Sequence, residues 1–215
     1  MDRTRVRITA GVSRSEHIAA LRARMEQLEG AAPALEHEVL SVGDLDRVLP
    51  AGGLARQAVT EVSDCPALVV EIIREVSGRG GHVGVVGWPD LSLADVERLE
   101  QVIVVPDPGG DPLGVTSVLV EGLDLVVWHS HVPLTLSPVR ARPLLGRLRQ
   151  GRAALLIVNL AVQSPAARVD ARVTTYRGIG RGTGRIRGYD IAVKETTRRA
   201  SMTLNVGEAP RLRAV

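Results

Sequence analysis

The sequence predicts an α/β fold in which a mainly parallel sheet carries helices on both faces and ends in antiparallel strands. Through the middle of the chain, short apolar runs alternate with amphipathic segments, and after residue 160 glycine-rich turns join shorter alternating strands. Strands buried on both faces are typical of parallel sheets. Apolar residues make up 45% of the chain and Phe is absent, so Val, Leu, Ile and Ala must form the core.

The N-terminal region predicts one amphipathic helix over residues 14–29, set apart from the core by a loop at residues 31–33. Its apolar residues recur at helical spacing, and they are Ile18, Leu21, Met25 and Leu28. They suit either docking on a neighbouring subunit or packing on the parent core. We therefore expect a helix and linker over residues 1–35, a core over 36–206 and a flexible tail over 207–215.

The segment Val59 to Val76 predicts a buried strand, a tight turn and a helix over residues 66–77. In many α/β proteins such a turn is a glycine-rich loop with the pattern GxxxxGK[ST], whose amides and lysine bind phosphate. Here the turn is Ser63, Asp64 and Cys65, and that pattern occurs nowhere in the chain. The only lysine is Lys194, too far along the chain to serve this turn.

The same turn is expected to satisfy the helix N-terminus without a ligand. Ser63 or Asp64 is the expected N-cap, and the Asp64 carboxylate would both interact favourably with the helix dipole and repel phosphate. We therefore expect the strand, turn and helix to have only a structural role, with no cofactor, no metal and no catalytic residue.

The remaining elements are predicted by the same patterns. Ser92 and Asp95 have capping-box spacing at the start of one expected helix. The expected strands are 82–86, 102–105, 123–128, 153–160, 169–176, 184–195 and 202–206, and the expected helices after residue 80 are 92–101, 113–122 and 138–149.

Two isolated residues invite a chemical interpretation. His129 ends an apolar strand and shares a strand face with His131, but a polar strand end is a better interpretation than a metal site. Cys65 is the single cysteine, which excludes an internal disulfide; without an identifiable base, it is expected to be a small buried hydrophobe.

The N-terminal sequence and the hydropathy bear on the cellular location of the protein. The first residues are charged and lack an apolar signal core. No apolar run reaches the roughly 18 residues that a membrane span requires. We expect a cytoplasmic protein.

Charge is divided unevenly along the chain. Residues 136–215 carry 16 basic and 4 acidic residues, whereas residues 1–135 carry 11 arginines and 20 acidic residues. The candidate contacts in the basic part are Arg177, Arg181, Arg185, Arg187, Arg198 and Arg199. They suit a DNA backbone, an acidic partner protein or a solvated hairpin, and all three interpretations stay open.

Four stretches resemble the RecA core in order and pattern over roughly residues 36–206: EVLSVGDLDRVLPAGGLARQAVTEV, LVVWHS, AALLIVNL and DIAVKETTRRASMTLNV. The resemblance places His129 where that family has an acidic residue, and Asn159 in the position of an Asn-Gln pair. It implies a RecA-like core. The stretches around 131–140 and 161–169, which correspond to the DNA-binding loops of RecA, are short.

The stretch GIGRGTGRIRGYDIAVKETTRRA resembles actinobacterial ImuA-type (ImuA-prime) proteins. That resemblance implies a non-enzymatic accessory factor in the SOS response to DNA damage, acting in translesion synthesis and induced mutagenesis. The implied partners are an ImuB-like relative of Y-family polymerases and, through it, an error-prone C-family polymerase. Two alternatives remain: a SulA-like cell-division inhibitor, and a RecA-like, nucleotide-dependent DNA-binding ATPase.

Overall fold

The computed structural model describes residues 38–180 and 183–207. The predicted N-terminal helix with Ile18, Leu21, Met25 and Leu28 lies outside the described residues, as do Arg181 and residues 208–215. The helices are α1 (Pro66–Gly78), α2 (Pro112–Gly122) and α3 (Pro138–Gln150). The strands are β1 (Val39–Leu40), β2 (Leu54–Ala55), β3 (Val59–Val62), β4 (Val83–Val86), β5 (Val102–Val105), β6 (Leu125–Thr135), β7 (Ala154–Ala161), β8 (Ala167–Gly180), β9 (Thr183–Glu195) and β10 (Ser201–Gly207).

The main sheet has eight strands in the order β10-β9-β8-β3-β7-β6-β4-β5. The six strands from β8 to β5 run parallel, and β9 and β10 add to them in antiparallel fashion. β1 and β2 form a separate antiparallel pair. The predicted α/β class, mainly parallel with antiparallel C-terminal strands, is confirmed.

Helices cover both faces of the sheet because its central strands are apolar on both sides. In β6, Leu125 and Val127 join the hydrophobic cluster packed by α1, whereas Val126 and Trp128 join the cluster packed by α2 and α3. We call these the α1-side and the α2/α3-side clusters. Full burial of a Val, Leu or Ile side chain stabilises the fold by about 1.5–3 kcal/mol, so the alternation in these strands ties both helical layers to one sheet.

The amino ends of the parallel strands converge on Asp124, just before β6. Its carboxylate accepts a hydrogen bond from the His82 N–H at 3.0 Å and pairs with Arg152 at 2.9 Å and Arg56 at 3.2 Å. Burial alone would raise the pKa of Asp124, but this hydrogen bond and the two guanidinium groups hold the pKa below its usual value. The carboxylate therefore links three separate segments.

One expected helix is wrong. Residues 92–98 are not helical, and only a single 3₁₀ turn, Leu99–Gln101, precedes β5. Leu91, Leu93 and Val96 pack against the α1-side cluster. Their spacing of two and three residues does not fit one helical stripe, so tertiary packing prevails over the capping-box signal at Ser92.

β6 is longer than expected. It continues past Trp128 to Thr135 through an irregularity between His129 and Leu134, after which pairing with β7 resumes.

Among the described residues, no helix combines the length and the apolar character that crossing a membrane requires.

Candidate functional site

The turn between β3 and α1 consists of three residues, as the sequence indicates. Cys65 N–H donates to the Ser63 carbonyl at 2.7 Å, and the Leu68 N–H donates back to the Cys65 carbonyl at 3.0 Å. A phosphate-binding loop needs several residues whose amides converge on one anion. In this turn the Cys65 amide is bonded to the Ser63 carbonyl, and the Ser63 amide donates to the Val169 carbonyl of β8 at 2.9 Å.

The predicted N-cap is wrong. The cap position is Cys65, which makes no side-chain capping bond. Ser63 is engaged by β8, because its Oγ accepts from the Ala171 N–H at 2.8 Å. Asp64 accepts from Asn159 Nδ2 at 3.1 Å, so these side chains fasten the turn to β8 and β7 rather than to the helix.

Cys65 is buried, with 4% of its surface exposed, within the α1-side cluster. Burial raises the pKa of the Cys65 thiol; the Leu68 N–H opposes that rise and the Asp64 carboxylate adds to it. The reactive form of cysteine is the thiolate, so this environment favours the expected role as a small hydrophobe.

Two stacked rings join the segment after β4 to the middle of β6. His129 is buried and lies face to face with Trp88, with ring centroids 4.2 Å apart and planes 14° from parallel. His129 Nδ1 is 3.1 Å from the Gly87 carbonyl, which can only accept, so Nδ1 carries the proton. His131 meets the His129 ring edge-on at 5.2 Å.

This stack occupies the position where the RecA resemblance implies an acidic residue near a magnesium ion. The Trp88 ring is itself buried, and it fills space at the carboxyl edge of the sheet. Within the described part of the chain, no three His, Cys, Asp or Glu side chains cluster closely enough to hold a metal.

A cleft of about 420 Å³ opens at the carboxyl ends of β3, β6 and β7. Its charged pair is Glu61 and Arg168, with Oε2 and Nε 2.6 Å apart, and Glu61 Oε1 also accepts from the Val162 N–H at 2.8 Å. Sequence reasoning missed Glu61, although a lone acid within the apolar strand VTEV was a visible signal. Both oxygens of the Glu61 carboxylate are bonded inside the protein, whereas Asp170, the other acid that lines the cleft, is exposed.

The structure does not gather the candidate arginines into one surface. Arg177 donates to Asp190 Oδ1 and to the Val206 carbonyl, and only 13% of its side chain is exposed. Its guanidinium crosses Gly188, where a built Cβ would lie 2.7 Å from Arg177 Nη2. Arg177 therefore braces the base of the β8–β9 hairpin.

Arg185 and Arg187 are exposed beyond that base. β10 pairs with β9 no further than Gly188, so the remaining part of the hairpin has only two strands. We call it the basic arm, residues 177–187, of which 181 and 182 lie outside the described residues.

Arg198 and Arg199 are also exposed, but they lie in the turn between β9 and β10. From Arg187 to Glu195 the strand advances eight residues, roughly 27 Å at strand geometry. Glu195 holds that turn together, because its buried carboxylate accepts from the Thr197 N–H at 2.9 Å and the Arg198 N–H at 2.6 Å. The turn and the basic arm are separate surfaces.

Comparison with known proteins identifies the family. The model of the MT3502 N-terminal domain family matches residues 47–164, more than half of the chain. The uncharacterized protein Rv3395c of Mycobacterium tuberculosis (strain ATCC 25618 / H37Rv) is 30% identical over 198 residues, which cover 87% of this chain and 93% of that protein. This chain belongs to the MT3502 N-terminal domain family.

A solved structure is also similar. The crystal structure of the RadB recombinase aligns with a TM-score of 0.49 at 13% identity, covering 77% of this chain and 94% of that chain. None of these descriptions states an ImuA-type role, and that assignment stays a prediction.

Proposed function

We propose that this protein is a non-catalytic, RecA-like accessory factor of error-prone translesion synthesis. It acts by binding an ImuB-like relative of Y-family polymerases, and through that partner it helps to bring an error-prone C-family polymerase to damaged DNA. The observation that carries the non-catalytic part is the Trp88–His129 stack between the segment after β4 and the middle of β6.

The stack supports the proposal because ATP hydrolysis needs groups that this site uses otherwise. Phosphoryl transfer depends on converging amides, a lysine and a metal held by an acidic side chain. Here the three-residue turn bonds to itself and to β7 and β8. The resemblance to RecA puts His129 at the position of that acid, and the His129 ring is packed against Trp88.

A binding role is supported by exposed apolar residues at the carboxyl edge. Val132 on β6 is 66% exposed and Val139 at the start of α3 is 82% exposed. Arg140 and Arg142 are exposed beside Val139. Exposed apolar patches can mark protein interaction sites. We propose that Val132, Val139, Arg140 and Arg142 contact the partner, and we name these four residues the carboxyl-edge patch.

The non-catalytic role is tested by calorimetric titration of the full chain with ATP or ADP and Mg²⁺. We expect no binding heat and no phosphate release, because the turn offers no set of converging amides. An active P-loop ATPase measured under the same conditions serves as the positive control. Saturable nucleotide binding with turnover would contradict the proposal and favour the ATPase alternative.

The partner is tested by affinity capture from cells exposed to DNA damage. The unmodified chain should enrich an ImuB-like protein and the error-prone polymerase, and Val132→Asp with Val139→Asp should abolish this capture. Val118→Asp is the matched control, since Val118 is 61% exposed on α2, outside the carboxyl-edge patch. Enrichment of cell-division proteins instead would favour the SulA-like alternative.

A further inference from the structure

We propose that one face of β8, β9 and β10, the face that points away from the α1-side cluster, binds the phosphate backbone of duplex DNA. Arg172 and Lys194 contact phosphates from the sheet, and Arg198 and Arg199 contact them from the adjoining turn. We name these four residues the C-terminal basic face. This inference does not rest on the proposed function, since it concerns a different surface and a different class of partner.

The two faces of these three strands differ in composition. On one face, apolar side chains such as Val173 and Val193 pack with the α1-side cluster. The alternate residues point to the other face. Along 168–172, 190–194 and 201–205 they include no apolar side chain larger than alanine, and most of them are exposed. The core of a protein interface is apolar and depleted of charge, so this face suits a charged ligand better than a protein partner.

Two rows of side chains cross the polar face from β10 through β9 to β8. They are Ser201, Lys194 and Asp170, and then Thr203, Ala192 and Arg172. Arg172 and Lys194 are therefore diagonal neighbours, roughly 7–8 Å apart in a sheet. A cavity of about 410 Å³ is lined by both of them and by the small residues Ala192 and Ser201. A phosphate group can thus enter between a guanidinium and an ammonium group.

The charges of Arg172 and Lys194 are available to a ligand. Both side chains are exposed, and within residues 38–180 and 183–207 neither forms an ion pair with a carboxylate. Arg168, on the same face, is instead paired with Glu61. Asp170 is exposed beside Lys194 and opposes the binding of an anion there. The four residues of the C-terminal basic face outnumber this acid, so the surface as a whole attracts a polyanion.

The turn between β9 and β10 extends the charged surface. Arg198 and Arg199 are exposed in this turn, only a few residues beyond Lys194. The buried Glu195 carboxylate accepts hydrogen bonds from the Thr197 and Arg198 N–H groups. These bonds fix the backbone of the turn, and the two arginines are therefore held close to the sheet residues with which they share the ligand.

The composition of the surface favours duplex over single-stranded DNA. Residues 168–173 and 190–206 contain no aromatic residue, whereas single-strand binding relies on aromatic rings that stack on bases. Exposed Ser201, Thr203 and Asn205 add polar groups of the kind that contact phosphates and sugars. Contacts to the backbone carry no sequence information directly, so we expect binding with little sequence preference.

The test measures anisotropy of labelled duplex and single-stranded DNA with the full chain, from about 50 to 250 mM salt. The duplex should bind more tightly than the single strand. Arg172→Gln with Lys194→Gln should lower the slope of log affinity against log salt by about 2, and Arg198→Gln with Arg199→Gln should do the same. Lys194→Arg keeps the charge and should keep the slope of the parent.

Asp170→Asn separates contact with phosphates from an indirect effect on the fold. The variant removes a like charge from the neighbourhood of the bound phosphates, so duplex affinity should rise by about twofold at low salt. The same titration measures it. Unchanged or weaker binding by this variant would contradict the placement of DNA on this face.

Arg98→Gln with Arg149→Gln is the matched control, because it removes two exposed charges elsewhere. Arg98 precedes β5 at the opposite edge of the sheet, and Arg149 lies at the end of α3, outside the carboxyl-edge patch. This variant should behave as the parent, and circular dichroism verifies that every variant is folded. Any of four results overturns the inference: no duplex binding at about 50 mM salt, tighter binding of the single strand, variants of the C-terminal basic face that match the control, or equal affinity for polyglutamate.

Discussion

At the residue scale, Asp124 shows how one buried carboxylate holds distant segments together. It joins the start of β4, through the His82 N–H, to Arg56 before β3 and Arg152 before β7. Its own side chain is 8% exposed. Loss of the Asp124 charge would therefore weaken the contacts of all three segments at once.

We expect Asp124→Asn to lower the free energy of unfolding by about 2 kcal/mol at pH 7, because hydrogen bonds to a charged group contribute about 1.5–3 kcal/mol. The pKa of Asp124 is lowered in the folded state, so its stabilisation is present above the unfolded pKa and lost as pH falls through the folded pKa. Urea denaturation from pH 7 to pH 3 should therefore show the difference from the parent shrinking. Asp90→Asn, at an exposed position, is the control; a difference that stays constant with pH would contradict this account.

At the scale of elements, the hairpin base depends on one glycine. Gly188 sits where β8, β9 and β10 meet, and a Cβ there would lie 2.5 Å from the Val206 carbonyl and 2.7 Å from Arg177 Nη2. Neither neighbour can move without breaking a bond, since Arg177 Nη2 donates to that same carbonyl at 2.7 Å. The position of the Arg177 side chain therefore requires glycine at residue 188.

Gly188→Ala should destabilise the protein by about 1–3 kcal/mol, the usual cost of overpacking. Gly184→Ala provides the comparison, because a Cβ at Gly184 meets nothing within 4 Å, and it should be neutral or slightly stabilising. Thermal denaturation of both variants measures the difference. Equal melting temperatures for the two would show that the Arg177 crossing does not constrain β9.

The elements differ in how far the sequence could predict them. Strands such as the one in AALLIVNL were predicted correctly, because a short continuous apolar run has the length and composition of a strand buried on both faces. The prediction of a helix at 92–101 was wrong because Leu91, Leu93 and Val96 pack against the α1-side cluster. That cluster is formed by residues distant in sequence, so the local pattern could not indicate it. The missing phosphate motif was readable from the sequence, whereas the Trp88–His129 stack and the Glu61–Arg168 pair join residues from separate strands, which no local pattern reveals.

At the scale of the whole molecule, the strands of one sheet contribute side chains to both hydrophobic clusters. β7 shows this directly, because Leu156 belongs to the α1-side cluster and Leu155 to the α2/α3-side cluster. The two tryptophans are divided in the same way, with Trp88 in the first cluster and Trp128 in the second. Each cluster thus contains its own fluorescent reporter.

Single-tryptophan variants Trp88→Phe and Trp128→Phe should each unfold in one transition, with fluorescence and far-UV circular dichroism coincident. Adding Leu156→Ala should lower stability by about 2–5 kcal/mol, and it should do so equally in both backgrounds although Leu156 contacts only one cluster. Urea titrations monitored by fluorescence measure both effects. A shift confined to the Trp88 reporter would mean that the two layers unfold independently.

The brevity of the connection between β3 and α1 bears on any attempt to engineer nucleotide use into this chain. The motif GxxxxGK[ST] is eight residues long, and three residues separate Val62 from Pro66. Substitutions at these three positions would change the side chains of the turn but would not lengthen it. A designer would have to insert new backbone between a strand and a helix whose junction is already anchored by Asn159 and Ala171.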